Sequence, residues 1–172
     1  ALLHEFDLWN REGVFTFDAY RSFFENQLVV DLDQSAREIH FYALNGMSYS
    51  NSVQAEINYD INRRVSVRTA YRFLDVKTDY QAGLLEKPFV SKHRGFLNMA
   101  YSTRKNKGKQ WVMDLTTQFI GSQRIPFTGD NADLFILDER SPNYVLMNSQ
   151  ITRHMSKAVS YTHLTLPTIA LV

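Results

Sequence analysis

Apolar and polar residues alternate most regularly between residues 52 and 73. Every second position from Val53 to Ile61 is apolar, and the positions between them are polar. After the polar residues 62–64, the alternation resumes at Val65 and continues to Phe73. A repeat of two is that of a β-strand, whose successive side chains point to opposite sides. The stretch therefore predicts a hairpin with one uncharged face and one polar face.

The same repeat predicts strands along most of the chain. A first strand follows a turn at residues 10–13, becomes less regular near Phe23, and continues as an extended segment to residue 32. Arg21 interrupts its apolar face. The residues before the turn predict no element. Five further strands are predicted at residues 38–61, 64–77, 93–103, 110–122 and 144–154.

The pair Asn45-Gly46 permits two interpretations of the second strand. Asn-Gly is a strong signal for a tight hairpin turn, which would divide residues 38–61 into two short strands. Gly46 is also compatible with a bend or bulge inside one long strand. We favour the single strand, because a turn here would insert a short pair of strands between two long ones.

The predicted connections alternate in length. Short turns lie at residues 10–13, 62–64, 104–109 and 155–158, and longer loops lie at residues 33–37, 78–92 and 123–143. Outer-membrane barrels have this rhythm, with tight turns on one side of the membrane and extended loops on the other. The strands exceed the usual five or six residues, and a transmembrane strand needs about 9–11. The sequence therefore predicts an all-β fold, an antiparallel up-and-down meander of about six long strands that forms a partial transmembrane β-barrel.

Composition and charge exclude several classes of protein. Cysteine is absent, which excludes a disulfide framework and thiol chemistry. The net charge is +1, so the chain as a whole offers no argument for a nucleic-acid partner. No apolar run approaches the roughly 18 residues of a transmembrane helix. Because the chain starts at Ala1 inside patterned sequence, we expect it to be a fragment of a longer protein.

Charged residues on the polar faces are the main candidates for function. Their simplest role is to keep the interior of the barrel hydrated. We expect the lumen-facing wall to include Glu56, Asp60, Arg68, Arg72 and Asp114.

Other chemical sites have weaker support. Hard cations prefer carboxylate oxygens, but the acidic residues of loop 123–143 lack the spacing of an EF-hand, so a hydrated loop is expected. The histidines show no paired zinc-ligand spacing. The basic turns lack a stacking platform for nucleic acid, and there is no phosphate loop or nucleophile elbow. We expect no enzyme activity, cofactor, metal or nucleic-acid partner. The acidic loop residues are Asp130, Asp133, Asp138 and Glu139, and the histidines are His40, His93 and His154.

Residues 159–172 break the alternating pattern. Their first ten residues, from Val159 to Thr168, match the conceptual translation of a transposase-type sequencing adapter. A match of this length does not arise by chance. We therefore expect residues 159–172 to be an artefactual, disordered tail without function, and residues 1–158 to be the natural sequence.

With the strands in place, residues 13–158 resemble the carboxyl-terminal part of the barrel of TonB-dependent outer-membrane receptors, particularly those of Bacteroidetes-type bacteria. The resemblance rests on the order and spacing of three segments: FDAYRSFFENQLVVDLD, LNGMSYSNSVQAEINYDINRRVSVRTAYRFLDVKTDY and YVLMNSQITRHMSKA. It implies a 22-stranded barrel closed by an amino-terminal plug. The chain would supply six of those strands, without the plug, the energy-coupling box or the final strand.

The resemblance implies energised uptake across the outer membrane of a Gram-negative bacterium. In such receptors a scarce ligand, such as a ferric siderophore, cobalamin or a glycan, binds the outer loops and the plug, and TonB couples uptake to the inner membrane. The expected partners are outer-membrane lipid and, through other parts of the protein, the plug and TonB. The five charged wall residues would then line the barrel against the plug. Alternatives are a passive porin or barrel adhesin, and a soluble β-sheet protein that binds a ligand.

Overall fold

A computed structural model of the chain describes residues 1–155, 158–164 and 170–171. Within these ranges it has twelve β-strands, a short 3₁₀ turn at Asp133–Phe135 and no α-helix. The described part of the chain has no helix with the length and apolar character that a membrane span requires. The strands are β1 (Leu2–Leu8), β2 (Arg11–Phe24), β3 (Leu28–Asp31), β4 (His40–Ala43), β5 (Ser48–Asn62), β6 (Val65–Tyr80), β7 (Gly83–Glu86), β8 (His93–Ser102), β9 (Gln110–Ile120), β10 (Tyr144–Met155), β11 (Ala158–Leu164) and β12 (Ala170–Leu171).

Eight of these strands form one antiparallel sheet in meander order, β1-β2-β5-β6-β8-β9-β10-β11. Strand β7 pairs with the end of β6, β12 pairs with β10, and β3 and β4 form a separate two-stranded sheet. The main sheet is not closed into a barrel. The predicted all-β antiparallel meander is confirmed, although its path has eight strands rather than about six.

The central hairpin forms as the alternation predicts. Strands β5 and β6 pair from Tyr49 opposite Lys77 onward, with a shift of register just before the turn. Asn62 closes that turn, because its side-chain oxygen accepts hydrogen bonds from the backbone N–H groups of Arg64, at 2.8 Å, and Val65, at 3.1 Å. Asparagine favours turns through such bonds to its own following backbone.

Strand β1 is an element that the sequence pattern did not predict. It pairs with β2 over its whole length, from Leu2 opposite Phe17 to Leu8 opposite Arg11. The connecting turn lies at Trp9-Asn10 rather than at residues 10–13, and both residues have positive φ angles, 51° and 58°. Two positive φ angles match the twist of a two-residue hairpin.

The prediction of a single strand over residues 38–61 is wrong. Strand β4 ends at Ala43 and β5 begins at Ser48. Between these strands the chain lies outside the main sheet, where β4 pairs with β3 instead. A hydrogen bond of 2.7 Å from the Leu44 backbone N–H to the Gln27 carbonyl extends this pairing. A side chain at Gly46 would overlap the Asp79 carboxylate, so the break brings the backbone against β6. The tight Asn-Gly hairpin is not formed either.

The loop predicted at residues 78–92 is shorter than expected. Strand β6 continues to Tyr80, and β7 folds back along it from Gly83, whose φ of 109° suits glycine. Residues 121–143 are irregular, as predicted, apart from the 3₁₀ turn and isolated bridges such as Arg124 to Arg140.

Residues 158–164 include the start of the predicted artefactual tail, whose disorder stays a prediction. They form β11, which pairs with residues 149–155 of β10. The edge of β10 presents unpaired backbone groups, and an extended segment that follows directly can satisfy them. Residues 156–157 of the predicted turn, and residues 165–169 and 172 of the tail, lie outside the described residues. The origin of residues 159–172 stays a prediction.

The apolar side of the main sheet is exposed. Val53, Ile57 and Leu115 keep 39%, 40% and 40% of their surface accessible. Among the described residues, the buried apolar side chains are only Val29, Tyr80 and Ile120. A β-sandwich would bury such side chains between two layers. Over the described side chains, the apolar side of this sheet therefore has no conventional hydrophobic core.

Candidate functional site

The two ends of the main sheet are built differently. The short-turn end carries the turns at residues 9–10, 63–64 and 103–109. The loop end carries three longer segments, which we call the first (25–47), second (81–92) and third (121–143) loop segments. A meander brings each kind of connection to its own end. The three loop segments contact one another, and together we call them the loop assembly.

Arg124 in the third loop segment joins all three segments. Its Nη1 and Nη2 atoms donate to the Asp33 carboxylate at 2.7 and 2.8 Å, and its Nε donates to the backbone carbonyl of Glu86 at 2.6 Å. The guanidinium also lies 5.7 Å from the centre of the Tyr80 ring. The side chains of Arg124 and Asp33 are only 15% and 5% exposed. A bidentate pair fixes orientation as well as distance, so Arg124 acts as the centre of the loop assembly.

Glu86 forms a second connection between the loop segments. Its carboxylate forms ion pairs with the Lys92 ammonium, at 2.6 Å, and with the Arg140 guanidinium, at 3.0 Å. Burial raises the pKa of Glu86, but the hydrogen bonds from Lys92 and Arg140 lower it by more. The net pKa lies below the ordinary value, so the carboxylate is held in its charged form. Lys92 also lies 3.4 Å from Asp75 near the end of β6.

Asp31 organises the first loop segment from a fully buried position. It accepts hydrogen bonds from the Asp33 backbone N–H, at 2.9 Å, and from the Tyr42 hydroxyl, at 2.8 Å. Burial raises the pKa of Asp31, and its hydrogen bonds to Asp33, Tyr42 and Gln34 more than offset this, leaving the pKa low. Burial and the bond to Asp31 raise the pKa of Tyr42 to about 12. The Tyr42 hydroxyl accepts a hydrogen bond from the Gln81 backbone N–H at 3.1 Å, which connects the first loop segment to the second.

The acidic residues of the third loop segment do not converge on a cation site. Asp130 instead accepts hydrogen bonds from the Ser35 hydroxyl, at 2.6 Å, and the Ala36 backbone N–H, at 3.0 Å. These two bonds lower the pKa of Asp130. No group of three or more metal-ligating side chains occurs within the described ranges. Asp130 therefore links the third loop segment to the first.

Two clefts open on the loop assembly. One has a volume of about 510 Å³ and combines charged groups, including Glu86, Arg124 and Arg140, with apolar ones such as Leu85. The other, of about 490 Å³, is lined mainly by apolar side chains of the first and third segments. Phe127 borders both clefts. Both volumes are of the size that accommodates a small molecule.

On the polar face of the sheet, two of the five predicted wall residues meet. The Arg68 guanidinium donates from Nε and Nη2 to the Glu56 carboxylate at 2.9 and 3.1 Å. The side-chain amide of Asn58 donates to the same carboxylate at 2.8 Å. The pairing follows from the register, since Arg68 lies opposite Asn58 and diagonal to Glu56.

The other three wall residues share the polar face without pairing. Asp60 and Asp114 lie in one row across the sheet, because Asp60 is opposite Ser66, Ser66 opposite Ala100, and Ala100 opposite Asp114. Arg72 lies opposite Gln54 on one side and Arg94 on the other. In the described part of the chain, Asp60, Arg72 and Asp114 form no ion pair. Their role as a barrel lining stays a prediction.

The three histidines occupy separate positions. His40 Nε2 lies 3.3 Å from the Glu38 carboxylate in the first loop segment. His93 Nδ1 forms a 2.6 Å hydrogen bond with the Tyr71 hydroxyl on the apolar face. His154 lies in β10, opposite Gln110.

The connections made by Arg124, Asp33 and Glu86 were not predicted. Their partners are far apart in sequence, and Asp33 and Arg124 are separated by 91 positions. A charged residue in a polar loop also looks like any solvated one. The only sequence signal was that acidic and basic residues both occur in loops that share one end of a meander. No family model, curated protein or solved structure matches this chain.

Proposed function

We propose that the chain forms part of the wall of an outer-membrane transport receptor of the TonB-dependent type, in a Gram-negative bacterium. In this role the apolar face contacts lipid, the polar face lines the lumen, and the loop assembly lies outside the cell. The chain takes part in uptake and has no enzymatic activity of its own. The transported ligand is a scarce nutrient, such as a siderophore, cobalamin or glycan.

The observation that carries this proposal is the exposed apolar face. Val53, Ile57 and Leu115 lie on long strands of a single sheet, and each is about two-fifths exposed. In water, continuous apolar surface of this extent favours association. In a bilayer the same surface is stable, while the opposite face keeps its charges in a hydrated interior.

Strand length and the ends of the apolar face support the same role. The apolar side of β5 runs from Val53 to Ile61, about nine residues, which matches the roughly 9–11 that cross a membrane. Aromatic and cationic side chains pair at both ends. The Arg21 guanidinium lies 4.6 Å from the Phe23 ring at the loop end, and the Arg153 guanidinium lies 5.0 Å from the Trp111 ring at the other. Aromatic girdles mark the two interfaces of such barrels.

The open edges of the sheet support a larger wall. In the bilayer core, unpaired backbone groups cost several kcal/mol each, so only closed sheets are stable there. Strand β1 has one described neighbour, β2. The outer edge of β1 would therefore pair with a further strand of the complete barrel.

A pair of arginine substitutions tests the membrane location. Leu115→Arg places a charge on the apolar face, and Ala100→Arg places one on the polar face, opposite Asp114. In the full-length parent folded in phosphatidylcholine vesicles, we expect Leu115→Arg to lower the free energy of unfolding by about 2–4 kcal/mol, and Ala100→Arg to change it by about 0.5 kcal/mol or less. Urea titration followed by circular dichroism measures both. Equal effects would favour the soluble ligand-binding alternative.

The proposed receptor and the alternative, a passive porin, differ in domains that would lie in other parts of the parent protein. The complete reading frame of the parent gene distinguishes them. A plug domain with an energy-coupling box supports the receptor, and a barrel without either supports the porin or adhesin. Recovery of the full-length parent in the soluble fraction of the cell would contradict all three membrane roles.

A further inference from the structure

Basic residues concentrate at the short-turn end of the sheet. The turns at residues 62–64 and 103–109 contain six basic residues and no acidic one: Arg63, Arg64, Arg104, Lys105, Lys107 and Lys109. All six are exposed, and none forms an ion pair with another described residue. The first loop segment, at the opposite end, has four acidic residues and one basic residue, if histidine is left out. Two of the three turns at this end of the near-neutral chain are therefore strongly basic.

Both tryptophans of the chain lie at this basic end. Trp9 occupies the turn between β1 and β2 and is 81% exposed. Trp111 lies near the start of β9 on the apolar face, is 42% exposed, and has Arg153 directly opposite it in β10. Tryptophan favours the interface between lipid and water, where its ring contacts the acyl region and its N–H stays near the headgroups.

We propose that the short-turn end binds the anionic headgroups of the phospholipid leaflet that it faces. This inference rests on the proposed membrane location and adds the chemistry of the lipid partner. The apolar face is continuous with the basic turns through Trp111 and Arg153. A bilayer that covers the face therefore brings its headgroups level with the free cations of the turns.

The strength of this attraction follows from the number of free cations. A Lys or Arg near an anionic membrane surface strengthens binding by about fivefold. The six turn residues have no carboxylate partner in the described structure that would compete with a lipid phosphate. Asp60 shares a shallow cleft with Arg63 and Arg64 on the polar face, without an ion pair to either in the described residues.

Nucleic acid also carries phosphates, but the surroundings favour lipid. Single-stranded nucleic acid binds along a basic groove with aromatic rings on which bases stack. Here Trp111 lies on the apolar face, beside Met113 at the next position on that side. An aromatic ring at the margin of an apolar surface suits acyl chains better than bases.

Vesicle binding by the complete 172-residue chain tests the inference. The chain is diluted from urea into vesicles of phosphatidylcholine, or of phosphatidylcholine with about one third phosphatidylglycerol, and bound protein is separated by flotation. We expect tighter binding to the anionic vesicles, and a loss of this preference at high salt. The double variant Lys105→Gln, Lys109→Gln removes two charges. It should weaken binding to anionic vesicles by roughly 10- to 25-fold, because each charge contributes a factor of up to about five. Binding to neutral vesicles should not change.

A matched double variant controls for net charge. Lys87 and Arg94 are exposed, lie at the loop end of the sheet, and form no ion pair with described residues. Lys87→Gln with Arg94→Gln removes the same charge, and we expect less than about a twofold effect. In a Trp9→Phe background, where Trp111 is the remaining tryptophan, bromine-labelled lipid should quench the fluorescence.

The possible results separate the inference from the proposed function. Equal binding to both kinds of vesicle, or equal effects of the two double variants, would overturn the inference and leave the membrane location intact. A chain that floats with neither vesicle would overturn both. Displacement from anionic vesicles by single-stranded RNA at matched phosphate concentration would assign the basic turns to nucleic acid, and would also overturn the inference.

Discussion

Removing the Arg124 side chain should release the loop assembly while leaving the main sheet intact. Arg124→Ala deletes the two hydrogen bonds to Asp33 and the one to the Glu86 carbonyl. It also leaves the Asp33 carboxylate, only 5% exposed, without its counter-charge. Loss of one partner of a buried ion pair costs about 3–5 kcal/mol, because the remaining charge stays desolvated.

Arg140→Ala is the matched control. Arg140 is also an arginine of the third loop segment that bonds to Glu86, but its side chain is 43% exposed and its ion pair to Glu86 is a single contact. A surface pair of this kind contributes about 0–1 kcal/mol. The two variants therefore separate the buried connection from a general loss of positive charge.

Hydrogen exchange of the chain folded in detergent micelles measures the effect. A cost of about 3–5 kcal/mol corresponds to roughly a 150- to 4,000-fold loss of protection, since 1.4 kcal/mol is tenfold. We expect this loss for the bonded amides of residues 25–47, 81–92 and 121–143 in Arg124→Ala. In Arg140→Ala, protection should fall by less than about fivefold. Amides in the middle of β5 and β6 should be unchanged in both variants.

The reasoning would be refuted if Arg124→Ala and Arg140→Ala lost the same protection. A double-mutant cycle with Asp33→Asn tests the pairing directly, because residues in contact have non-additive effects. A coupling energy near zero between positions 33 and 124 would show that the loop assembly is held by other contacts.

Two further predictions concern the loop end. The folded-state pKa values of Asp31 and Glu86 lie below the ordinary 3.8 and 4.5, so the stabilisation from these carboxylates is present above those values and is lost as the pH falls through the folded pKa values. Loop protection, corrected for intrinsic exchange, should be constant between about pH 7 and 5 and should decrease below about pH 4; constant protection to about pH 2 would contradict this. Gly46→Ala should destabilise the first loop segment by about 1–3 kcal/mol, because its new methyl group would overlap the Asp79 carboxylate. Gly95→Ala is the control, since its nearest contact would be an ordinary 3.5 Å, and equal exchange in both variants would argue against the close approach.

The alternation of apolar and polar residues was sufficient to predict most of the sheet. Strands β5, β6, β8, β9 and β10 lie within about three residues of their predicted ends, apart from the amino-terminal end of β5, and the meander order follows from their short turns. This information is local, because each strand repeats every two residues and each turn contains its own signal, such as Asn62. The same period assigns Glu56 and Arg68 to one face. The register then places them within hydrogen-bonding distance.

Local signals failed where a distant partner decides the outcome. Asn45-Gly46 suits a turn or a bend equally well, and only the pairing of β4 with β3 and the approach of Asp79 to Gly46 end the strand. Strand β1 has a weak pattern of its own and depends on β2 for its hydrogen bonds.

The polar face and the apolar face of the sheet were determined by the periodicity of the sequence itself. The bond between Asp33 and Arg124 was decided by the tertiary structure alone, because no local pattern indicates which of several loop charges will meet and exclude water.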